Sequence, residues 1–363
     1  EQRRIAVARE LASSALNSLD VDPERSILLA LEAVNTTYAQ DGTVMLEAEN
    51  ALHRAIQTSR ILFTLRGHAG PVAGADYSPD GTRIVTGSYD GTAKIWDAET
   101  GDELLTLSGH SDTVFEVAFS PGGSKIATAS YDNNAKVWDA STGHELMTFI
   151  GHQAPINSVV FSPDGTRIAT GSLDQTAKIW DVDTGEELFT LTGHTDQIWH
   201  VEFNPDGSKI LTMSKDANAI MWDTTTGEML YILFTHIHII SRANFNQDGN
   251  RVILTGNLGL AVVVDSISGE VILELPGHAG LVLWGKYSPD ESLIVTTGKD
   301  GKVKVFDAVT GELWFELSGH ASFTVGIDFN PSGSRLVTGS FDGTARVWDI
   351  SPERELTTIS VAM

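Results

Sequence analysis

Cysteine is absent from all 363 residues, which excludes disulfides, thiolate nucleophiles and cysteine-based zinc sites. Basic residues are scarce: 24 Lys and Arg stand against 48 Asp and Glu, a formal charge of −24. Such an anionic surface repels phosphate backbones and acidic headgroups, so neither nucleic acid nor a membrane is an expected partner. No apolar run is long enough to span a bilayer and no secretory signal is visible, which makes a cytoplasmic location the expectation. The nucleotide-binding pattern Gly-x-x-x-x-Gly-Lys-Ser/Thr is missing too, and no cofactor is expected. The chain opens on Glu1 rather than Met, so an excised piece of a longer protein is expected.

What is present falls into two regimes. Over residues 1–60 the apolar residues recur at helical spacing. Ile5, Ala8, Leu11, Ala12, Ala15, Leu16 and Leu19 form a first stripe. Ile27, Leu28, Leu31 and Val34 form a second, after an Asp22–Pro23–Glu24 start. Thr43 caps a third helix running from Val44 to Ile56, with Glu47 and Glu49 early in it, where the helix dipole favours acid. Short helices of this kind are marginal alone, so they are expected to pack on one another and on a neighbouring body.

From Ile61 the period becomes strand-like and the chain repeats. Gly-His stands at 67, 109, 151, 193, 277 and 319, with Thr235–His236 as the weakened member, so the spacing is 42 residues. Trp-Asp closes the unit at 96, 138, 180, 222 and 348, and weakens to Val264–Asp265 and Phe306–Asp307. Each unit holds four short runs, in the first about 72–77, 83–88, 92–97 and 103–107. Turn signals separate them: Ser78–Pro79–Asp80–Gly81, Asp90–Gly91 and Thr100–Gly101. Four antiparallel strands repeated seven times predict an all-β, seven-bladed propeller over 61–350, with a helical segment at 1–60 and a tail at 351–363.

With Gly-His at one end, Asp in the tight turn and Trp-Asp at the other, the chain resembles the WD-repeat propellers. The resemblance implies an offset between repeat and blade, so that Ile61–Leu65 supplies the outer strand of the seventh blade. Glu355–Ile359 matches the same strand more weakly and competes for that edge. It also implies a hydrogen-bonded chain in each blade from Asp to His to Ser to the indole N–H. The sets are His68/Ser88/Asp90/Trp96, His110/Ser130/Asp132/Trp138, His152/Ser172/Asp174/Trp180, His194/Ser214/Asp216/Trp222 and His320/Ser340/Asp342/Trp348. Five copies fit a brace per blade rather than a nucleophile, which is needed once. The fifth unit loses nearly the whole set, with Gly256, Leu258 and Val264. The sixth keeps His278 and Asp300 beside Gly298 and Phe306. His236 and His238, without cysteine or a nearby carboxylate, do not make a metal site.

The same resemblance places partner contacts three and five residues after each repeat His and just before the turn Asp. These positions are unusually apolar for surface: Phe115, Tyr131, Tyr89, Trp199, Phe323, Phe341 and Leu281 form an aromatic and aliphatic rim. Lys215 and Lys299 add basic points. The expected function is non-catalytic binding of a protein or peptide by a monomeric module. The Asp22–Val34 run resembles the linker ahead of the propeller in bacterial STAND-type signalling ATPases, which implies a sensor role in a larger protein. A propeller hydrolase is the alternative, but its candidates His200, Glu202, Arg242 and Lys286 are scattered over the units without a spacing that pairs them. A scaffold with no ligand is the third reading.

Overall fold

In the computed structural model, residues 2–19, 23–41, 44–58, 60–233, 240–256 and 259–351 are described. His236, His238, Leu258 and the Glu355–Ile359 run lie outside them.

The helical unit consists of α1 (Gln2–Ser18), α2 (Pro23–Asp41) and α3 (Leu46–Thr58). Its core is centred on alanines, among them those of the stripes read from the sequence, with Leu11, Val34 and Leu52 packed against them and several of the stripe leucines left outside. Ala8, Ala12, Ala15, Ala30, Ala33, Ala48, Ala51 and Ala55 are all buried, while Leu28 is 66% exposed and Leu16 and Leu31 are exposed as well. Side chains of one methyl group let helix backbones approach closely, and the buried Ser26 hydroxyl donates to the Ala15 carbonyl at 2.8 Å across that approach. The third helix begins at Leu46, so Val44 stands ahead of it and exposed.

The remaining strands form seven four-stranded antiparallel sheets. In the first, β2 (Val72–Tyr77), β3 (Arg83–Ser88), β4 (Thr92–Asp97) and β5 (Glu103–Ser108) pair in sequence order. The seventh combines β26 (Thr324–Phe329), β27 (Arg335–Ser340) and β28 (Ala345–Asp349) with β1 (Ile61–Leu65) in the order β1-β28-β27-β26. The first strand therefore occupies the outer edge of the last blade. Leu65 and Phe63 lie in one apolar cluster with Val337 and Val347 of that blade and Val72, Ile84 and Trp96 of the first. This is a seven-bladed β-propeller with four antiparallel strands per blade, preceded by three helices.

The apolar clusters lie between blades. Trp180 and Ile168 of the third blade pack on Val137 and Phe149 of the second, with the Phe149 and Trp180 rings edge-to-face at 5.7 Å. Since each sheet buries both faces this way, the blade is stable only in the ring. Glycine is required where the ring closes. A Cβ on Gly326 would stand 2.6 Å from the backbone nitrogen of Ala75, because the innermost strands of the last and first blades touch there.

The brace differs from the sequence reading in one member. His68 Nδ1 bonds Asp90 Oδ2 at 2.9 Å and His68 Nε2 meets Thr86 Oγ1 at 2.8 Å. The Trp96 indole donates to that same Thr86 oxygen at 2.8 Å. The hydroxyl that joins His to Trp is thus threonine, not serine, and the correction holds in every sound blade. Trp138 donates to Thr128 and Trp180 to Thr170, each at 2.9 Å, while Trp222 donates to Thr212 and Trp348 to Thr338, each at 2.8 Å. His110, His152 and His194 meet Thr128, Thr170 and Thr212 through Nε2 and the turn residues Asp132, Asp174 and Asp216 through Nδ1.

The serines are displaced from the brace because they stand at the strand end, beside the turn. Ser88, Ser130, Ser172, Ser214 and Ser340 accept from the backbone N–H of the turn Asp, each at 3.1 Å. The turn Asp has a duty that a simple Asp-to-His chain leaves out. In the last blade, where His320 is buried, Asp342 donates its N–H to Ser340 and accepts through Oδ1 from the Thr344 N–H at 3.0 Å and hydroxyl at 2.6 Å. Asp342 therefore fixes the hairpin turn with its own carboxylate. Burial works against ionising Asp90, its counterpart, but bonds from Thr92, the Ala69 N–H and His68 win and pull its carboxyl down to about 2. The Asp of Trp-Asp works outside: Asp97 Oδ1 accepts from the N–H groups of Glu99 and Thr100 and shapes the next turn.

In the fifth blade the threonine position is Leu254 and the tryptophan position Val264, both fully buried in an apolar cluster. The sixth keeps His278, Asp300 and Thr296 bonded while Phe306 replaces the indole. In the fifth blade the hydroxyl and the indole are lost together, so the donor goes with its acceptor and the space is filled by apolar side chains.

Candidate functional site

Every innermost strand carries a bulge at the same place. Ladder pairing skips one residue between Val72 and Gly74, and likewise between Val114 and Glu116, Ile156 and Ser158, Ile198 and His200, Ile240 and Arg242, and Val282 and Trp284. In the last blade the irregularity falls between Thr324 and Ile327. A bulge re-aims the side chain at the extra residue. The skipped residues are Ala73, Phe115, Asn157, Trp199, Ser241 and Leu283, with Val325 in the last blade, and they are the positions five residues after each repeat His.

All of them but Ala73 line a cavity of about 270 Å³, together with Tyr131 and Arg242. The rim beside it is a chain of rings. Phe323 lies 5.8 Å from Phe341, Phe341 5.1 Å from Tyr89, and Tyr89 6.4 Å from both Phe115 and Tyr131. Phe115 and Tyr131 stack at 5.5 Å. Lys299 stands 5.3 Å over the Phe323 ring, and Lys215 lies 3.9 Å from Asp196. Leu281 is half-buried, whereas Asn157, Ser241 and Val325 are buried. The ring of positions expected as open surface is therefore a half-sunk aromatic mouth.

Beneath the mouth lies a charged layer that the sequence reading left scattered. The residues one step past each bulge are Gly74, Glu116, Ser158, His200, Arg242, Trp284 and Gly326, and they share the phase of the 42-residue repeat. Arg242 Nη1 donates to Glu116 Oε1 at 2.8 Å and meets His200 Nδ1 at 2.8 Å. The Arg242 guanidinium lies 3.9 Å from the Trp284 ring centre. Two residues further on come Asp76, Glu202, Asn244, Lys286 and Asp328, with Lys286 paired to Asp328 at 2.5 Å. The spacing that brings these groups together is a multiple of the repeat.

Most of these side chains stitch one blade to the next. An innermost strand has an unpaired edge, and the residue 43 positions earlier covers it. Asp76 accepts from Phe119 N–H, Glu116 from Val159 N–H, Ser158 from Val201 N–H and Asn244 from Tyr287 N–H, at 2.7 to 3.3 Å. Asp328 closes the circle on Tyr77 N–H at 2.8 Å. His200 Nε2 faces the Ala243 carbonyl at 3.1 Å, so it carries the proton and Nδ1 is the acceptor, facing Arg242 Nη1 at 2.8 Å and the Ser158 hydroxyl at 2.9 Å. Burial, then the Arg242 charge, holds the His200 pKa well below its ordinary value.

Glu202 is the exception. Burial raises its carboxyl to about 7 against the pull of Lys286. Between the ordinary value near 4.5 and 7, the folded protein keeps a proton that the unfolded chain has released, so Glu202 costs stability as pH rises through that window. Glu202→Gln, a mimic of the protonated acid, is expected to stabilise the protein by about 2 kcal/mol above pH 8 and by nothing below pH 4. Thermal melts of both proteins across pH 4–9 check this, and parallel curves would refute it.

Among the described residues no group of three or more His, Asp or Glu is arranged to hold a metal ion, and no helix is long and apolar enough to cross a membrane. Comparison with known proteins agrees with the geometry. The family model for the WD domain, G-beta repeat, matches residues 59–97, 269–307 and 311–349. The chain carries WD repeats folded as a β-propeller. The model for the IFT122 first beta-propeller matches residues 113–284 of the WD propeller. Ribosome assembly protein 4 of Chaetomium thermophilum is 34% identical over 77 residues, 21% of this chain and 15% of that protein. The human serine-threonine kinase receptor-associated protein is 51% identical over 41 residues, 11% of this chain and 12% of that protein. The periodic tryptophan protein 2 homolog of Neurospora crassa is 45% identical over 42 residues, 12% of this chain and 5% of that protein. The matched stretch thus spans 5% to 15% of these relatives' length.

Proposed function

We propose that the WD propeller is a non-catalytic interaction module that takes a segment of a protein or peptide into the aromatic mouth. The observation that carries this is the cavity between Phe115, Tyr131 and Trp199, a concave site with the ring composition of interaction hot spots. The relatives' printed roles in ribosome assembly and kinase-receptor association support a partner that is a protein. A hydrolase at the channel is disfavoured by how its groups are used. The Ser158 hydroxyl stands 2.9 Å from His200 Nδ1, but it is fully buried and already accepts from Val201 N–H. His200 spends Nε2 on a backbone carbonyl, and its Nδ1 also faces the Arg242 cation.

In the fuller reading, residues 61–350 bind and residues 1–60 join them to the rest of a bacterial STAND-type signalling protein in the cytoplasm, the fragment itself being monomeric. The likeness of Asp22–Val34 to that linker supports this part.

Trp199→Ala is the test. The natural partner, captured from a lysate with the unchanged chain, is expected to bind the variant at least 30-fold more weakly, about 2 kcal/mol, with the melting temperature retained. Unchanged affinity would place the binding surface elsewhere.

A further inference from the structure

Among the polar groups that line the mouth, Asn157, Ser241 and Arg242 each lack something. Asn157 is 7% exposed and Ser241 4%, and neither the Asn157 Oδ1 nor the Ser241 hydroxyl has a hydrogen-bond partner among the described residues. Both sit at bulges, where their neighbours in the ring are Phe115, Trp199 and Leu283. A buried polar atom left unpaired is costly, and such atoms persist where something outside the chain completes them.

The third group is Arg242, which also lines the cavity. Its bonds to described residues, to Glu116 and His200, both run through Nη1. The Nε and Nη2 donors are left over, on a guanidinium whose plane is fixed by Trp284 at 3.9 Å. A fixed guanidinium fork suits a carboxylate, which accepts two parallel N–H bonds.

Resting on the proposed mouth, we infer that the cavity recognises a carboxylate presented beside an amide N–H: the end of a peptide chain, or an aspartate or glutamate within one. The carboxylate accepts from the free edge of Arg242 and from the Ser241 hydroxyl, while the amide N–H donates to Asn157 Oδ1. The hydrocarbon part of the residue lies against Phe115, Tyr131 and Trp199. A lysine or arginine side chain does not complete this set. It would meet the Arg242 cation, and the nearest carboxylate, Glu116, is already taken by Arg242 and the Val159 N–H. A purely apolar side chain would leave Asn157 and Ser241 as they are.

The experiment presents the full chain with three randomised hexapeptide pools: free C-termini without internal acid, amidated C-termini with Asp and Glu allowed, and amidated C-termini without them. Bound peptides are identified by mass spectrometry. At least tenfold enrichment is expected from one of the first two pools over the third, and which of them it is distinguishes a chain end from a side chain. Ser241→Ala, and the charge-neutral pair Glu116→Gln with Arg242→Gln, are expected to reduce that binding to the level of the third pool while the melting transition persists. If the pair does not fold, Ser241→Ala alone decides, and undiminished binding overturns the inference. Equal binding from all three pools that vanishes in Trp199→Ala overturns the carboxylate and leaves the mouth standing. Binding indifferent to Trp199→Ala overturns the mouth itself, and no enrichment in any pool overturns the carboxylate.

Discussion

Trp180→Ala is expected to destabilise the propeller by roughly 3–5 kcal/mol, the cost of emptying the space of a large buried ring. The indole is 2% exposed and packs on the neighbouring blade through Phe149. The change also removes one of the two partners of the Thr170 hydroxyl, leaving it bonded to His152 alone. A second substitution isolates that polar part. Thr170→Val keeps the shape and removes the bridge, leaving an indole N–H and an imidazole nitrogen buried without partners, a loss of about 2–3 kcal/mol. Ser172→Ala removes only turn bonds and is expected to cost about 1 kcal/mol. Chemical denaturation of the three variants checks the order, and a Ser172→Ala loss as large as that of Thr170→Val would contradict it.

The second large effect lies in the channel. Glu116→Leu leaves the Arg242 charge buried without its partner and the Val159 N–H uncovered, and is expected to cost roughly 3–5 kcal/mol. Replacing both members, Glu116→Leu with Arg242→Met, is expected to recover most of that loss, since a buried pair can be exchanged for apolar groups of similar size. A double-mutant cycle measures the coupling directly. Additive losses in the double variant would show that the pair is held by something other than its mutual charge.

The ring was legible in the sequence because its period is rigid: no unit gains or loses a residue, so every turn and every Trp-Asp falls in register. The bracing hydroxyl was harder to read. Thr86 and Ser88 lie two residues apart on one face of one strand, and both recur in each sound blade. Ladder register separates them, with Thr86 opposite Lys94 and Ser88 opposite Val72 at the strand end. The same offset puts Thr128 rather than Ser130 under Trp138, and Thr212 rather than Ser214 under Trp222. The degenerate blades do not separate the two in sequence, because both lose serine and tryptophan together. The sixth loses serine and tryptophan, as Gly298 and Phe306, yet keeps Thr296 bonded to His278, whereas the fifth loses both hydroxyls, as Leu254 and Gly256, with its tryptophan.

The charged layer was missed for a different reason. Glu116, His200 and Arg242 are far apart in the chain, and pairing was sought at short spacings. In a closed ring, residues at the same phase of different units meet across the axis, so 84 and 126 residues are short distances. The helical stripes were right about Ala8, Ala12, Ala15, Leu11 and Leu52 but not about Leu16, Leu28, Leu31 and Leu46, which are exposed. Spacing alone does not say whether alanine or leucine faces the partner helix, and here the small residues do.

The central claim is that the repeated residues build the ring while the bulged residues of the innermost strands bind. Hydrogen exchange of the propeller with and without its captured partner tests it most directly. Protection on binding is expected at the inner-strand bulges around Phe115, Asn157, Trp199 and Ser241 and at the adjoining turns of Tyr89 and Tyr131. Protection confined to outer strands such as Glu187–Thr192, with the bulges unchanged, would contradict it.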